Sequence, residues 1–202
     1  MIKYIFLVIF SVIFCSEVFS NDVDHKMSLE LRPAYFKPQS KRFWNVHGGG
    51  FIGFLNFNYE ITSRVGVFAD AGYYYKRKKD TVYQSENTTT YTYVNLVPVS
   101  AGIRFLLIKK NRFDFYGKLG PNVTFIRTKQ EHPHVFPKHS SKFCFGGVVG
   151  TGVFIKIKER FVIDPFFDYI FNINKFIDKN SNREVTLRCG GIVVGAGFGF
   201  RF

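Results

Sequence analysis

Residues Gly191 to Phe202 read GIVVGAGFGFRF. On a strand, successive side chains point to opposite faces. Phe198, Phe200 and Phe202 therefore share one face with Ile192, Val194 and Ala196, while glycines 191, 195, 197 and 199 share the other. A chain end is normally polar and hydrated; this one carries an aromatic stripe that must meet a protein core or lipid.

The same two-residue period runs upstream. From Arg64 to Lys76 the odd positions are Val65, Val67, Ala69, Ala71, Tyr73 and Tyr75, and the even ones include Asp70 and Lys76. From Phe113 to Phe125 the odd face is apolar while Asp114, Lys118, Asn122 and Thr124 lie on the even one. From Phe161 to Phe171 the even face carries Asp164 and Asp168. Alternation of this kind predicts strands, about eight of them, near 28–37, 50–62, 64–76, 91–107, 113–127, 142–157, 161–173 and 188–202. Each is long enough to cross a bilayer at a tilt. Segments 38–49, 77–90, 128–141 and 174–187 are predicted as long irregular loops, and Ser63, Lys109–Arg112 and Lys158–Arg160 as short turns. Aromatic residues cluster at the strand ends, Tyr73, Tyr75, Tyr91, Tyr93, Phe143 and Phe145 towards the long loops and Phe105, Phe113, Phe161 and Phe202 towards the short turns. Such girdles mark a membrane interface. The fold predicted is a closed, antiparallel, up-and-down transmembrane β-barrel of about eight strands.

Composition agrees. Of 202 residues 19% are aromatic, with 26 Phe against one Trp, far from an average soluble chain. Residues 1–20 read as a cleaved signal peptide: Lys3 gives the positive start, Tyr4 to Phe14 the apolar stretch, Val18 and Ser20 the small-residue cleavage pattern. Residues 21–202 are then one barrel domain, with export to the bacterial outer membrane. Loss of the leader removes one Lys and one Glu, so the formal charge stays +13. Cys144 and Cys189 remain, both on the lumen side. With one strand between them a flat sheet would hold their Cα atoms about 10 Å apart, beyond disulfide reach, which predicts free, packed thiols.

With these features in place, the chain from residue 21 onward resembles the small OmpA/OmpX-type outer-membrane barrels of Gram-negative bacteria. The stretches that carry the likeness are NLVPVSAGIRF, FDFYGKLGPNVTF and the last strand, with Gly195, Phe198, Phe200 and Phe202. The resemblance implies that those four residues form a signal read by the barrel-assembly machinery. It fixes fold and location, while activity is decided by sites placed on the fold.

Three sites follow from the residues. Glu30, Arg32, Glu60, Asp70, Arg104, Asp114, Lys118, Asp164 and Asp168 fall on the lumen face; an eight-stranded interior is just wide enough for side chains, and buried charges of both signs must pair, so they are expected to plug it. Lys76, Arg77, Lys78 and Lys79 form a basic run in an outer loop, suited to the phosphates of lipopolysaccharide, to outer-membrane lipids or to an acidic surface ligand. No nucleic-acid motif accompanies it, and no such partner is expected. EHPHVFPKHSS holds His132, His134 and His139, but without a supporting cysteine or carboxylate set no metal is assigned, and no cofactor. Lipid A deacylases use a His-x-Ser pair; here His139 and Ser141 are followed by Lys142, and the nearest downstream acid, Glu159, lies at the far end of the strand. The reading is therefore a monomeric, non-enzymatic barrel with an envelope-structural or surface-interaction role. A narrow channel and a lipid A-modifying hydrolase are the alternatives.

Overall fold

The computed structural model describes residues 26–40, 48–84, 86–110, 112–132, 135–157, 160–178 and 183–202; side chains at 79–90, 130–139, 174–185 and 187 fall outside the description. The leader predicted at residues 1–20 lies outside it too. Among the described residues every regular element is a strand: β1 (Met27–Pro38), β2 (Gly50–Glu60), β3 (Val65–Gln84), β4 (Glu86–Lys109), β5 (Phe113–His132), β6 (Val135–Ile157), β7 (Phe161–Asp178), β8 (Arg183–Arg188) and β9 (Gly191–Arg201).

Consecutive strands pair antiparallel from β1 to β7; β7 then pairs with both β8 and β9, and β9 returns to β1. β8 and β9 share one place in the wall, parted at Cys189 and Gly190, so the wall of the closed barrel has eight strand positions. Following the pairing from Glu30 leads through Asn56, Asp70, Ser100, Asn122, Gly146, Asn172 and Cys189. The Gln39 amide then bonds the Gly190 carbonyl, which sets Cys189 beside Ser40 rather than Glu30. This stagger of ten residues is what tilts the strands and lets so small a sheet close.

The alternation sorts the two faces. Leu31, Tyr35, Phe51, Leu55, Tyr73, Val99, Phe145, Val149, Phe171, Val194 and Phe198 stand on the exterior, all exposed. Their even or odd neighbours, from Phe36 to Val193, are buried inside. One end of the barrel carries both described termini and short turns. The Thr62 hydroxyl accepts the Val65 amide at 3.0 Å in the first of these. We call this the turn end and its opposite the hairpin end.

At the hairpin end the structure corrects the sequence. Residues 77–84, 86–90, 128–132, 135–141, 174–178 and 183–187 are strand continuations of β3–β4, β5–β6 and β7–β8 rather than irregular loops. Polarity had marked them as loops. Yet Thr81 pairs with Thr89 and Val82 with Thr88 in one ladder, and β-branched residues suit such a ladder in water as well.

Candidate functional site

Four strands aim charged and polar side chains at one point inside the barrel: β1 supplies Arg32, β3 Asp70, β5 Lys118 and Tyr116, and β7 Asp164 and Asp168. The Arg32 guanidinium lies 3.2 Å from Asp164, 3.5 Å from Asp70 and 3.7 Å from Asp168. It also donates to the Tyr116 hydroxyl at 3.1 Å and stacks 3.6 Å over the Phe166 ring. Lys118 Nζ bridges Asp70 at 2.8 Å and Asp168 at 2.9 Å. Tyr116 donates in turn to Asp164 at 2.8 Å. Two cations thus hold three carboxylates, all nearly inaccessible. Glu30 sits beside this core, taking hydrogen bonds from Asn58 at 2.6 Å and Ser28 at 3.2 Å.

Small residues make the space. A Cβ on Gly150 would lie 2.0 Å from an Asp168 oxygen, one on Gly152 2.5 Å from the Tyr116 hydroxyl, and one on Gly199 2.3 Å from Glu30 Cγ. Large polar side chains from β1, β5 and β7 lean onto glycines of β6 and β9, which is how eight strands contain so many.

Towards the turn end lies a second layer. Arg104 and Arg201 both reach Glu60, at 3.5 and 3.3 Å, and Lys156 reaches Asp114 at 2.8 Å. Arg104 is set over the Phe154 ring at 4.6 Å. Towards the hairpin end the interior is apolar: Phe36, Ile52, Phe54, Phe68, Tyr74, Leu96, Ile126, Val148, Ile170 and Val193 form one buried cluster. Beside it Asn122, Thr124 and Asn172 exchange hydrogen bonds, with Ser100 accepting from Asn122 at 2.8 Å. The lumen positions singled out in the sequence therefore fall into two groups, a central one (Glu30, Arg32, Asp70, Lys118, Asp164, Asp168) and an end one (Glu60, Arg104, Asp114). Tyr116, Asn56 and Asn58 complete these networks and were missed; the inward parity of their strands was the signal.

Cys144 and Cys189 are joined in a disulfide, with S–S 2.06 Å and Cα atoms 6.5 Å apart, against the free thiols predicted. The flat-sheet spacing fails for two reasons. Inward side chains of a small, strongly curved barrel converge, and Cys189 lies outside the regular ladder, at the gap between β8 and β9.

The basic run is also rearranged. Because Lys76 to Lys79 belong to a strand, the described side chains divide between two faces: Arg77 is exposed on the exterior with Tyr73 and Tyr75, whereas Lys76 and Lys78 are half-buried on the inner side. Lys76 donates to the Gly49 carbonyl. Gly48, whose φ of 64° favours glycine, offers its carbonyl to the Tyr74 hydroxyl at 3.3 Å. The Lys79 side chain lies outside the described residues, as do those of His132, His134 and His139. Ser141 faces outward, paired in the ladder with Arg127.

At the closing strand Phe198, Phe200 and Phe202 are exposed on the exterior and Gly195 pairs with Ala34 and Phe166. Phe200 stacks on Phe202 at 6.4 Å, and Phe161 meets Phe200 edge-on.

No family model and no curated protein matches this chain. Solved structures do. OprG from Pseudomonas aeruginosa superposes with a TM-score of 0.59 at 17% identity, over 89% of this chain and 98% of that one. The chain has the fold of the small eight-stranded outer-membrane barrels. Outer Membrane Protein W of E. coli gives 0.54 at 16% identity, covering 90% and 100% of the two chains. Ail, the attachment invasion locus protein of Yersinia pestis, solved in complex with the heparin analogue sucrose octasulfate, gives 0.51 at 18%, covering 88% and 100%. At these identities the likeness is one of fold.

Proposed function

We propose that this chain is an integral outer-membrane barrel of a Gram-negative bacterium, exported by a leader at residues 1–20, inserted by the barrel-assembly machinery, and serving the envelope as a monomeric structural and surface-interaction protein without catalysis. The observation that carries it is the inversion of the wall, apolar side chains outside and ion pairs inside. An exposed apolar surface of this extent has no place in water, whereas hydrocarbon requires it. The filled interior supports a structural barrel over a channel: the charged centre lies under a packed layer of buried apolar side chains. The hairpins beyond the aromatic girdle bear cations, among them Arg77, Arg127, Lys129 and Lys142. Polyanions suit them, as one suits Ail of Yersinia pestis.

The test is expression in a Gram-negative host followed by fractionation, planar-bilayer recording, lipid A mass spectrometry and heparin chromatography. Heat-modifiable migration from the outer membrane, no unitary conductance, an unchanged lipid A spectrum and salt-sensitive heparin retention are the expected results. Steady conductance overturns the filled-barrel reading, and a shifted lipid A mass lost in Ser141→Ala overturns the non-enzymatic one.

A further inference from the structure

On the exterior of β3 to β6 the pairing stacks two rows above the apolar band. The first aligns Tyr75, Asn95, Arg127 and Ser141; the second aligns Arg77, Tyr93 and Lys129. Beneath them Phe125 packs against Phe143 at 4.9 Å, both rings exposed. The Arg77 guanidinium is 4.2 Å from the Tyr91 ring and 5.5 Å from the Tyr93 ring, and Lys129 Nζ is 6.0 Å from Tyr93. Cations held over rings in this way keep their charge and lose freedom. Arg127 carries its guanidinium exposed, donor-rich and planar. Asn95 is occupied by the Tyr73 hydroxyl at 2.9 Å, which fixes the lower edge of the patch.

Height decides what meets this surface. Two residues advance about 6.7 Å along a strand, and a tilt of about 40° leaves about 5 Å along the barrel axis. Arg127 therefore stands about 5 Å and Lys129 about 10 Å above Phe125 on the same strand. Each step across a tilted ladder changes height by about 3 Å, so Arg77, two strands away, stands about 4 Å above Phe125. The polar headgroup layer of a bilayer leaflet is about 5–8 Å deep. The cations span it from the outside of the wall, where a neighbouring lipid has direct access. Phosphate is the headgroup anion that arginine binds in a fork.

Resting on the outer-membrane reading, we propose that Arg77, Arg127 and Lys129, seated among Tyr75, Tyr91 and Tyr93, form a lateral binding site for the phosphates of a phosphorylated glycolipid in the outer leaflet. The inward Lys76 and Lys78 do not contribute.

The experiment titrates refolded protein in detergent micelles with bisphosphorylated lipid A, its dephosphorylated form, and sucrose octasulfate. Arg77→Gln/Arg127→Gln/Lys129→Gln should weaken bisphosphorylated lipid A at least tenfold, and Lys76→Gln/Lys78→Gln less than twofold. Dephosphorylated lipid A should bind wild type as weakly as it binds the triple variant. Equal lipid A affinity in wild type and triple variant overturns the proposal. So does a loss confined to octasulfate, which assigns the patch to a soluble polyanion. Each variant is also tested for heat-modifiable migration and trypsin resistance in vesicles: a chain that fails to insert sinks the membrane reading, while one that inserts and ignores phosphate sinks this inference alone.

Discussion

Cys144 on β6 and Cys189 at the β8–β9 break are bonded across the strand between them, both side chains buried in the apolar layer near the hairpin end. The bond closes a loop whose ends are 45 residues apart. In the chain-entropy account a loop of that size is worth about 4 kcal/mol against the unfolded chain. Cys144→Ser/Cys189→Ser should lower the urea midpoint of the refolded barrel. Alkylation should label neither cysteine until the unfolded protein is reduced. Labelling of the oxidised, unfolded chain would contradict the pairing.

The central charge cluster makes a different prediction. Arg32 serves Asp70, Asp164, Asp168 and Tyr116 at once. Its removal leaves carboxylates facing one another, with Lys118 still bridging Asp70 and Asp168. Breaking a buried pair from one side costs about 3–5 kcal/mol. Arg32→Met should therefore destabilise strongly in urea titration. Arg32→Lys should rescue little, since one ammonium cannot span three carboxylates. Full rescue by lysine would show that charge alone, rather than the planar fork, holds the lumen.

Glycines give a paired test of which face is crowded. Gly152→Ala pushes a methyl to 2.5 Å of the Tyr116 hydroxyl, while at Gly53, on the exterior of β2, an added Cβ meets nothing within 4 Å. Overpacking of this kind costs about 1–3 kcal/mol. Gly152→Ala should lose that much, and Gly53→Ala should be neutral or gain a few tenths. Similar losses at both would mean that the crowding lies in the wall and not in the lumen.

The closed wall and its two faces were legible because the period of two is enforced everywhere by lipid-compatible and inward-facing surfaces. Leu31 and Arg32, or Phe167 and Asp168, are neighbours in sequence that must face opposite media. What failed shares one cause, the treatment of residues beyond the band as a local matter. Lys76–Lys79 read as a cluster only while the strand was thought to end at Lys76; once β3 continues, the pleat divides them. The grouping of Arg77 with Lys129 depends on a register across β4, and the Cys144–Cys189 bond on curvature and a break in the wall. Neither relation is local in sequence, so alternation could not reveal them.

The chain end returns the clearest separation of stability from assembly. Met27 and Phe202 exchange both backbone hydrogen bonds, each 3.0 Å, in the last rung of the β1–β9 seam. Phe202 is 41% exposed on the exterior, so deleting it removes one rung, one ring stack and part of a lipid-facing surface rather than any of the lumen packing. Such a rung is worth about 1–3 kcal/mol, a modest fraction of a seam built from many pairs. If the spaced aromatics Phe198, Phe200 and Phe202 are read by the assembly machinery, deletion of Phe202 should sharply reduce outer-membrane yield in cells. The same purified chain should still refold in detergent, with a urea midpoint only slightly below wild type. A parallel fall in cellular yield and in refolding would assign Phe202 to closure of the seam. Unchanged cellular yield would remove it from the signal altogether.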